Sequence, residues 1–318
     1  MATWNLGEIL ASTLPGYEKT FKDQVFNKHV VLNHYKENGG VHQKGGGATL
    51  RIPLMTGAGT SEWFSGSDTL DVSPVDTLDA AEFTYRNMNA SIVFTLDDEL
   101  SNSGSEQVVD LIKAKIMQAE LTIADGFNDA IINGTGAEAK PRIVGLDTAI
   151  GIGTFSGIAG GTYTDWQSVV DSTAEVLSLA DMRSTLNSIN IGMGGSPTSL
   201  IATTQALYEK YEALGTPTYQ MNPLVVNKEQ QRLMDVGFNA LAYAGVPLVF
   251  DPKIGTGKMY FLNTKNSYIC VHKDAYMNKT PKMSPVDQHV TVQHIVLRAL
   301  LAVNRRKSLG KLSGKTTT

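Results

Sequence analysis

The sequence predicts an α+β protein that combines a long helix, a projecting two-stranded hairpin and a compact mixed module. Apolar residues recur at steps of three and four over residues 103–133, the spacing of one helical stripe. Residues 48–55 and 82–96 alternate between apolar and polar side chains, as strands do. Between residues 165 and 272, short strand patterns are mixed with helical ones, which is typical of helices packed on a small sheet.

The first 38 residues predict an extended arm with short helices. Pro15 and Gly16 divide their scattered apolar side chains into two segments, each too short to bury much surface alone. We therefore expect the arm to lie on another surface. His29 and His34 are five residues apart, which suits neither one helical face nor one strand face. We interpret them as surface or packing histidines, not as metal ligands.

Residues 39–96 predict a long hairpin on a glycine-rich hinge. Pro53 cannot donate to a strand ladder, so the strand over 48–55 is an edge strand or is exposed on one side. A two-stranded ribbon is marginal in water, so we expect this one to lie on a neighbouring surface. The alternative is that it folds back onto its own domain. The candidate interface residues, including two aromatic anchors, are Arg51, Trp63, Phe64 and Arg86.

Residues 103–133 predict a helix of about 45 Å along which separate modules pack. Ser103 and Glu106 have the spacing of a capping box. Asn133 and Gly134 predict a left-handed stop. The apolar stripe consists of Val109, Ile112, Ile116, Ala119, Ile123, Phe127 and Ala130. The candidate core positions of the helix are Ile112, Ile116, Ile123 and Phe127.

The middle of the chain predicts helices packed on a short mixed sheet. Asp165 is a candidate N-cap for a helix over 166–188. A second helix is expected over 204–214, and short strands at 199–203, 246–250, 258–262 and 267–272. Residues 288–304 predict a long strand that returns beside the long helix. We expect the following tail to be frayed; its basic residues are Arg305, Arg306, Lys307, Lys311 and Lys315.

The composition indicates a soluble globular chain: 42% of residues are hydrophobic and 18% charged. The net charge of -4 argues against a protein whose main task is to grip nucleic acid. The single Cys270 lies in an apolar run, which predicts an inert buried thiol and excludes an intrachain disulfide. No basic and apolar leader or membrane-length apolar run is present, so we expect a cytosol-like compartment and no membrane.

The segments that resemble catalytic or nucleotide-binding motifs do not match those motifs in spacing or residue type. Gly151 and Gly153 resemble the start of a dinucleotide fingerprint, but no helix start follows. The segment 255–258 ends like a phosphate loop, yet Met259 replaces the required serine or threonine, so we expect a hairpin turn. His289 and His294 fall on opposite strand faces, and the acidic run at 97–99 has no catalytic partner. We expect no enzymatic activity, cofactor or metal.

Two short runs resemble the major capsid proteins of tailed bacteriophages, which have the Hong Kong 97-type capsid fold. DGFNDAIINGTG at 125–136 is followed within a few residues by PRIVG at 141–145. These are similar to the family's aromatic and alanine before Asn-Gly, then a proline and an isoleucine-containing turn. A last strand ending in arginines, here Arg298 and Arg305–Arg306, is similar too.

The resemblance implies a particular division of the chain. The expected parts are an N-terminal arm (1–38), an extended hairpin loop with flanking peripheral strands (39–96), a spine helix and peripheral domain (97–150), an axial domain (151–275), and a return strand of the peripheral domain with a C-terminal tail (276–318).

The resemblance also implies a structural role in a virion. Such chains form pentamers and hexamers that close into an icosahedral shell around double-stranded phage DNA, without sequence-specific binding, after assembly in the host cytoplasm. The hairpin would lie across a neighbouring subunit. About thirty-eight residues precede it, which is short for a fused scaffolding segment, so a separate scaffolding protein is expected, with a portal and a decoration protein as further partners. Some members join lysine to asparagine, but Lys44 in the hairpin matches no such motif closely.

Two other functions remain open on the sequence. An encapsulin-like bacterial compartment shares the fold and encloses a cargo enzyme, although its chains are usually shorter and carry a cargo-docking N-terminal region that is not evident here. A soluble α+β enzyme with an unrecognised site would be a monomer or small oligomer with a pocket.

Overall fold

The computed structural model describes residues 29–55, 59–71, 73–74, 77–95, 111–191, 198–215, 241–285 and 289–318. The helices are α1 (Val30–Glu37), α2 (Leu111–Asn133), α3 (Leu146–Ala149), α4 (Leu179–Ile191) and α5 (Gln205–Gly215). The strands are β1 (Val41–Lys44), β2 (Thr49–Met55), β3 (Leu78–Thr84), β4 (Arg86–Thr95), β5 (Val169–Asp171), β6 (Leu200–Thr203), β7 (Leu241–Tyr243), β8 (Val246–Phe250), β9 (Met259–Leu262), β10 (Ser267–His272), β11 (Asn278–Lys279), β12 (Val290–Val303) and β13 (Gly310–Leu312).

The chain divides into two compact units. Of the described residues, the smaller unit holds 89–95, 111–123, 279–285 and 289–295, and the larger unit holds the rest. Within the part of the chain that the structure describes, the helices are too short or too polar to cross a bilayer.

The smaller unit combines strand residues with the first half of α2. β4 pairs with β12. The Thr280 amide donates to the His294 carbonyl at 2.8 Å. Ile92 and Phe94 are buried on one face of β4, while Val93 is exposed, as the alternating pattern predicted. The Lys115 ammonium donates to the Val93 carbonyl and lies 5.3 Å from the centre of the Phe94 ring.

The larger unit contains the short mixed sheet that the sequence predicted. Its strand order is β5-β13-β9-β6-β8-β7, with parallel pairs at β5–β13 and β6–β8. Helices α4 and α5 cover it. Their shared core contains Leu177, Met182, Leu186, Ile189, Ile201, Leu207, Tyr208, Tyr211, Val246, Leu248, Met259, Phe261 and Leu312.

A second sheet of the larger unit carries α1 and the buried cysteine. β1 runs parallel to β10, which is antiparallel to the second half of β12. Cys270 on β10 is fully buried, which confirms the predicted environment of the thiol. His34 on α1 is also buried: it accepts from the Asn38 amide through Nδ1 and pairs with the Ser199 hydroxyl through Nε2 at 3.0 Å. This confirms a packing histidine.

The helix predicted over 166–188 is wrong. Residues 169–171 form β5 instead, and α4 begins at Leu179. The physical start signal is a capping box that sequence reading overlooked: the Asp181 amide donates to the Ser178 hydroxyl and the Ser178 amide to the Asp181 carboxylate, both at 3.2 Å. Asp165 caps no helix and pairs with Lys307 at 3.1 Å.

The prediction that the C-terminal tail is frayed is also wrong. Residues 310–312 form β13 between β5 and β9 in the six-stranded sheet. Arg306 and Lys315 on either side are buried, because each finds several oxygen partners inside the larger unit.

The long helix ends at Asn133 as predicted, but for a different reason. Gly134 does not take a left-handed conformation. A methyl group there would overlap the Ile143 carbonyl oxygen, so close packing requires the glycine. The predicted capping box at Ser103 and Glu106 and the arm residues 1–28 lie outside the described residues.

Candidate assembly surface

The hairpin consists of β2 and β3, which form a separate two-stranded sheet with seven residue pairs from Thr49–Thr84 to Met55–Leu78. Its returning strand is therefore residues 78–84, earlier than the predicted 82–96, and β4 belongs to another sheet. Both strands have an outer edge without a partner strand in the described structure. Pro53 lies on such an edge, as its missing donor required.

The end of the hairpin exposes large apolar side chains. Trp63 is 103% exposed and Phe64 is 68% exposed. Hydrogen bonds from backbone amides shape the loop around them: Asp71 donates to Glu62 at 2.6 Å and Ser65 donates to Asp68 at 2.8 Å. Water-exposed aromatic rings on a shaped loop are the features of an interface anchor.

The base of the hairpin is fixed to the larger unit. The Glu82 amide donates to the Ser156 carbonyl at 3.0 Å, and the Phe83 and Phe155 rings meet edge to face with centres 5.8 Å apart. Gly46 and Gly47 in the hinge have φ of +88° and +91°, which favour glycine. The hinge contacts are an amide hydrogen bond from Gly46 to His272 and a guanidinium hydrogen bond from Arg298 to Gly47.

A cleft of about 240 Å³ lies beside this base. Its polar lining includes Glu82, Arg86 and Ser156, and several threonines complete the wall. The carboxylate in the described lining belongs to Glu82, which is paired with Arg51 at 3.0 Å.

Arg306 closes the loop between α3 and β5. Its guanidinium donates four hydrogen bonds of 2.7–3.0 Å to the backbone carbonyls of Ala149, Gly151, Gly153 and Trp166. It also lies 4.9 Å from the Phe155 ring centre and 5.9 Å from that of Trp166. Burial lowers the pKa of Arg306 to about 10, which leaves it charged at neutral pH. Gly151 and Gly153, the glycines of the apparent dinucleotide motif, thus accept hydrogen bonds from Arg306 through their backbone carbonyls.

Lys315 occupies a cluster of three carboxylates. Its ammonium lies 2.6 Å from Glu175, 2.9 Å from Asp171 and 3.4 Å from Asp181. Carboxylate oxygens of these three residues lie within 4.8 Å of one another, a spacing that could also hold a metal ion. Burial opposes the charge of Lys315, but the carboxylates outweigh it and raise the pKa of the amine. The amine supplies the neutralising charge that a metal would otherwise bring.

Asp147 forms a second, half-buried ionic cluster. It accepts from Lys258 at 2.8 Å, from the Tyr260 hydroxyl at 2.9 Å and from Lys311 at 3.1 Å. Burial and the nearby carboxylate raise the pKa of Tyr260. Lys258 of the apparent phosphate loop is therefore engaged by a carboxylate. The segment before it is not a hairpin turn, because β8 and β9 both pair with β6 and not with each other.

The remaining candidate residues lie in different environments. Arg51 is exposed and Arg86 is half-buried. On α2, Ile116 is half-buried, whereas Ile123 and Phe127 are buried. The Ile112 side chain lies outside the described ones. Sequence reading missed Arg306 and Lys315 as buried anchors, since a basic tail after a strand has no pattern that separates buried from solvated cations.

Comparison with known proteins gives a consistent answer at the level of fold. No model of a known protein family matches the chain, and no curated protein matches its sequence. The capsid protein of cyanophage A-1(L) is similar in structure, with a TM-score of 0.69 and 17% identity over 97% of this chain and 98% of that one. The capsid protein of a native GTA particle matches with a TM-score of 0.67 and 9% identity over 96% of both chains.

An encapsulin from Synechococcus elongatus PCC 7942 is also similar. Its TM-score is 0.60, with 11% identity over 100% of this chain and 98% of that one. Chain length therefore does not separate the two classes here. The chain has the fold of tailed-phage capsid proteins, and the fold implied by the sequence resemblance is confirmed at that level.

Proposed function

We propose that this chain, which has the fold of tailed-phage capsid proteins, is the major capsid protein of such a phage. It would assemble with copies of itself into pentamers and hexamers that close an icosahedral shell around double-stranded DNA, and would reside in the virion. The observation that carries the proposal is the end-to-end structural similarity to the cyanophage A-1(L) capsid protein, 97% of this chain against 98% of that one.

In this proposal the parts of the chain have distinct tasks. α2 belongs to the spine helix, the six-stranded sheet with α4 and α5 to the axial domain, and β4 with β12 to the peripheral domain. The hairpin reaches a neighbouring subunit through Arg51, Trp63, Phe64 and Arg86. A separate scaffolding protein, a portal and a decoration protein are further partners to be tested.

Electron microscopy of the purified chain, alone and with candidate scaffolding proteins, tests the proposal together with light scattering. Closed shells, tubes or five-fold and six-fold rings are expected. A homogeneous monomer or dimer under both conditions would contradict it.

Changing the exposed aromatics tests the hairpin separately. Trp63→Ser should leave the melting temperature of the subunit unchanged, because the ring is exposed, and weaken assembly about thirtyfold, the effect of a strong interface anchor. Trp63→Phe keeps an aromatic ring and should restore most of the assembly. If the parent and Trp63→Ser assemble equally well, Trp63 does not contribute to the interface.

The similarity to the encapsulin favours a second candidate, the shell of a protein compartment. The contents of purified particles separate the two functions. Nuclease-protected DNA supports the capsid, whereas a co-purifying protein cargo without nucleic acid supports the compartment.

A further inference from the structure

Negative charge accumulates toward the end of the hairpin. Between Arg51 and Arg86 the sequence has six acidic residues and no lysine, arginine or histidine. We call the described residues 59–71 and 73–74 the hairpin tip. Its acidic residues, all exposed, are Glu62, Asp68 and Asp71.

These acids also shape the loop. Each accepts a backbone amide, at distances from 2.6 to 2.9 Å. None of them forms an ion pair with a residue that the structure describes. Hydrogen bonds from Ser73 lower the pKa of Asp71, so this carboxylate stays ionised at neutral pH. The tip therefore presents a charge of -3 beside the exposed Trp63 and Phe64.

The opposite end of the hairpin is basic. Lys44 is in register with His272, Lys273 follows it, and Arg298 reaches the hinge carbonyl of Gly47. We call this group the hairpin root. Its charged residues are Lys44, Arg51, Arg86, Lys273 and Arg298, opposed by Glu82 and Asp274, a balance of +3. Lys44 and Lys273 are exposed, without an ion-pair partner among the described residues.

The two ends of one hairpin are too far apart to neutralise each other. Six steps along β2, from Thr49 to Met55, cover about 20 Å at the usual rise of a strand. The Debye length in physiological salt is about 8 Å. Each end is therefore available to an opposite charge on another molecule.

We infer that the acidic tip of one copy docks on the basic root of the next copy, with Trp63 and Phe64 covered in the contact. This rests on the proposed function and specifies the partner surface of the hairpin. Because the tip and the root are different surfaces, the contact is head-to-tail, and repetition of a head-to-tail contact closes a ring when the rotation permits. Opposite charges set the direction and speed of the approach.

Charge exchange between the two ends tests the inference. The tip variant changes the tip charge from -3 to +1 and keeps an acceptor oxygen at each turn: it carries Ser61→Lys, Thr69→Lys, Asp68→Asn and Asp71→Asn. The root variant changes the root charge from +3 to -1: it carries Lys44→Glu and Lys273→Glu. Both variants should assemble at least about tenfold more slowly than the parent in low salt. The chain with both sets of changes should assemble faster than either variant alone, though more slowly than the parent, because tips of +1 then meet roots of -1 in place of -3 and +3.

A matched control changes two exposed cations elsewhere, Lys140→Glu and Arg183→Glu, and should assemble like the parent. Circular dichroism establishes that each variant is folded; if the tip variant is not, Ser61→Lys with Thr69→Lys replaces it. Added salt should slow the parent, and should slow the combined variant less steeply.

Particular outcomes overturn the inference. Tip and root variants that assemble at the parental rate exclude this contact while leaving the proposed function intact. Failure of the combined variant to recover, with both single sets impaired, means that tip and root do not meet. A parent that remains monomeric at every salt concentration, both alone and with candidate scaffolding proteins, overturns both the contact and the proposed function.

Discussion

Replacing Arg306 by methionine should open the loop between residues 149 and 168. Of the four carbonyls that the guanidinium holds, those of Gly151 and Gly153 can reach water, whereas Ala149 and Trp166 are buried. Methionine fills the space but donates nothing. Two buried carbonyls would remain without a donor, at about 1–3 kcal/mol each. We expect a local loss of about 4 kcal/mol, equivalent to about a thousandfold more frequent opening.

Hydrogen exchange measures this opening without assuming that the whole chain unfolds in one step. The reporter is the Ser168 amide, which donates to the Gly151 carbonyl at 3.1 Å. Arg306→Lys keeps the charge with fewer donors, so its exchange should fall between those of the parent and of Arg306→Met. Arg183→Met, on the exposed face of α4, is the control and should change nothing. If exchange at Ser168 in Arg306→Met stays within about threefold of the parent, the guanidinium does not hold this loop.

Three further changes test other buried groups. Burial lowers the pKa of His34 from about 6.5 to about 4. Between these two pH values the His34 ring binds a proton in the unfolded chain but not in the folded one. The free energy of unfolding should therefore fall by about 3 kcal/mol from pH 6.5 to 4 in urea titrations, and His34→Gln should lack this loss. Lys315→Met should leave facing carboxylates without a cation and lower the melting temperature in calorimetry by about 4 °C; an unchanged value would mean that the cluster is solvated. Gly134→Ala should yield insoluble protein because its methyl group overlaps the Ile143 carbonyl, whereas Gly161→Ala, which faces open space, should remain soluble.

Periodic elements could be predicted from the sequence, because burying one face of a helix or strand requires apolar residues at a regular spacing. The alternation that buries Ile92 and Phe94 and exposes Val93 was readable, as were the exposed rings of Trp63 and Phe64 within a polar, glycine-rich segment. The short strand β5 was not. Three residues carry no period, and β5 exists because Val169 pairs with Gly310, far along the chain.

The basic root of the hairpin was beyond sequence reading for the same reason. Lys44, Arg86, Lys273 and Arg298 come from four separate segments, and strand register is what gathers them. Asp165 illustrates the converse error. Aspartate is a common N-cap, but here its neighbour Trp166 supplies a carbonyl and a ring to Arg306, and this tertiary contact overrides the local preference.

The location of β13 makes completion of the larger unit depend on synthesis of residues 310–312. β5 gains its parallel neighbour only after residues 310–312 emerge from the ribosome, about 140 residues later. At about 5–20 residues per second, the nascent sheet waits about 7–28 s with one strand missing from its interior. A chain that ends before residue 310 lacks that strand, so β5 and β9 each lose a neighbour and the six-stranded sheet is divided.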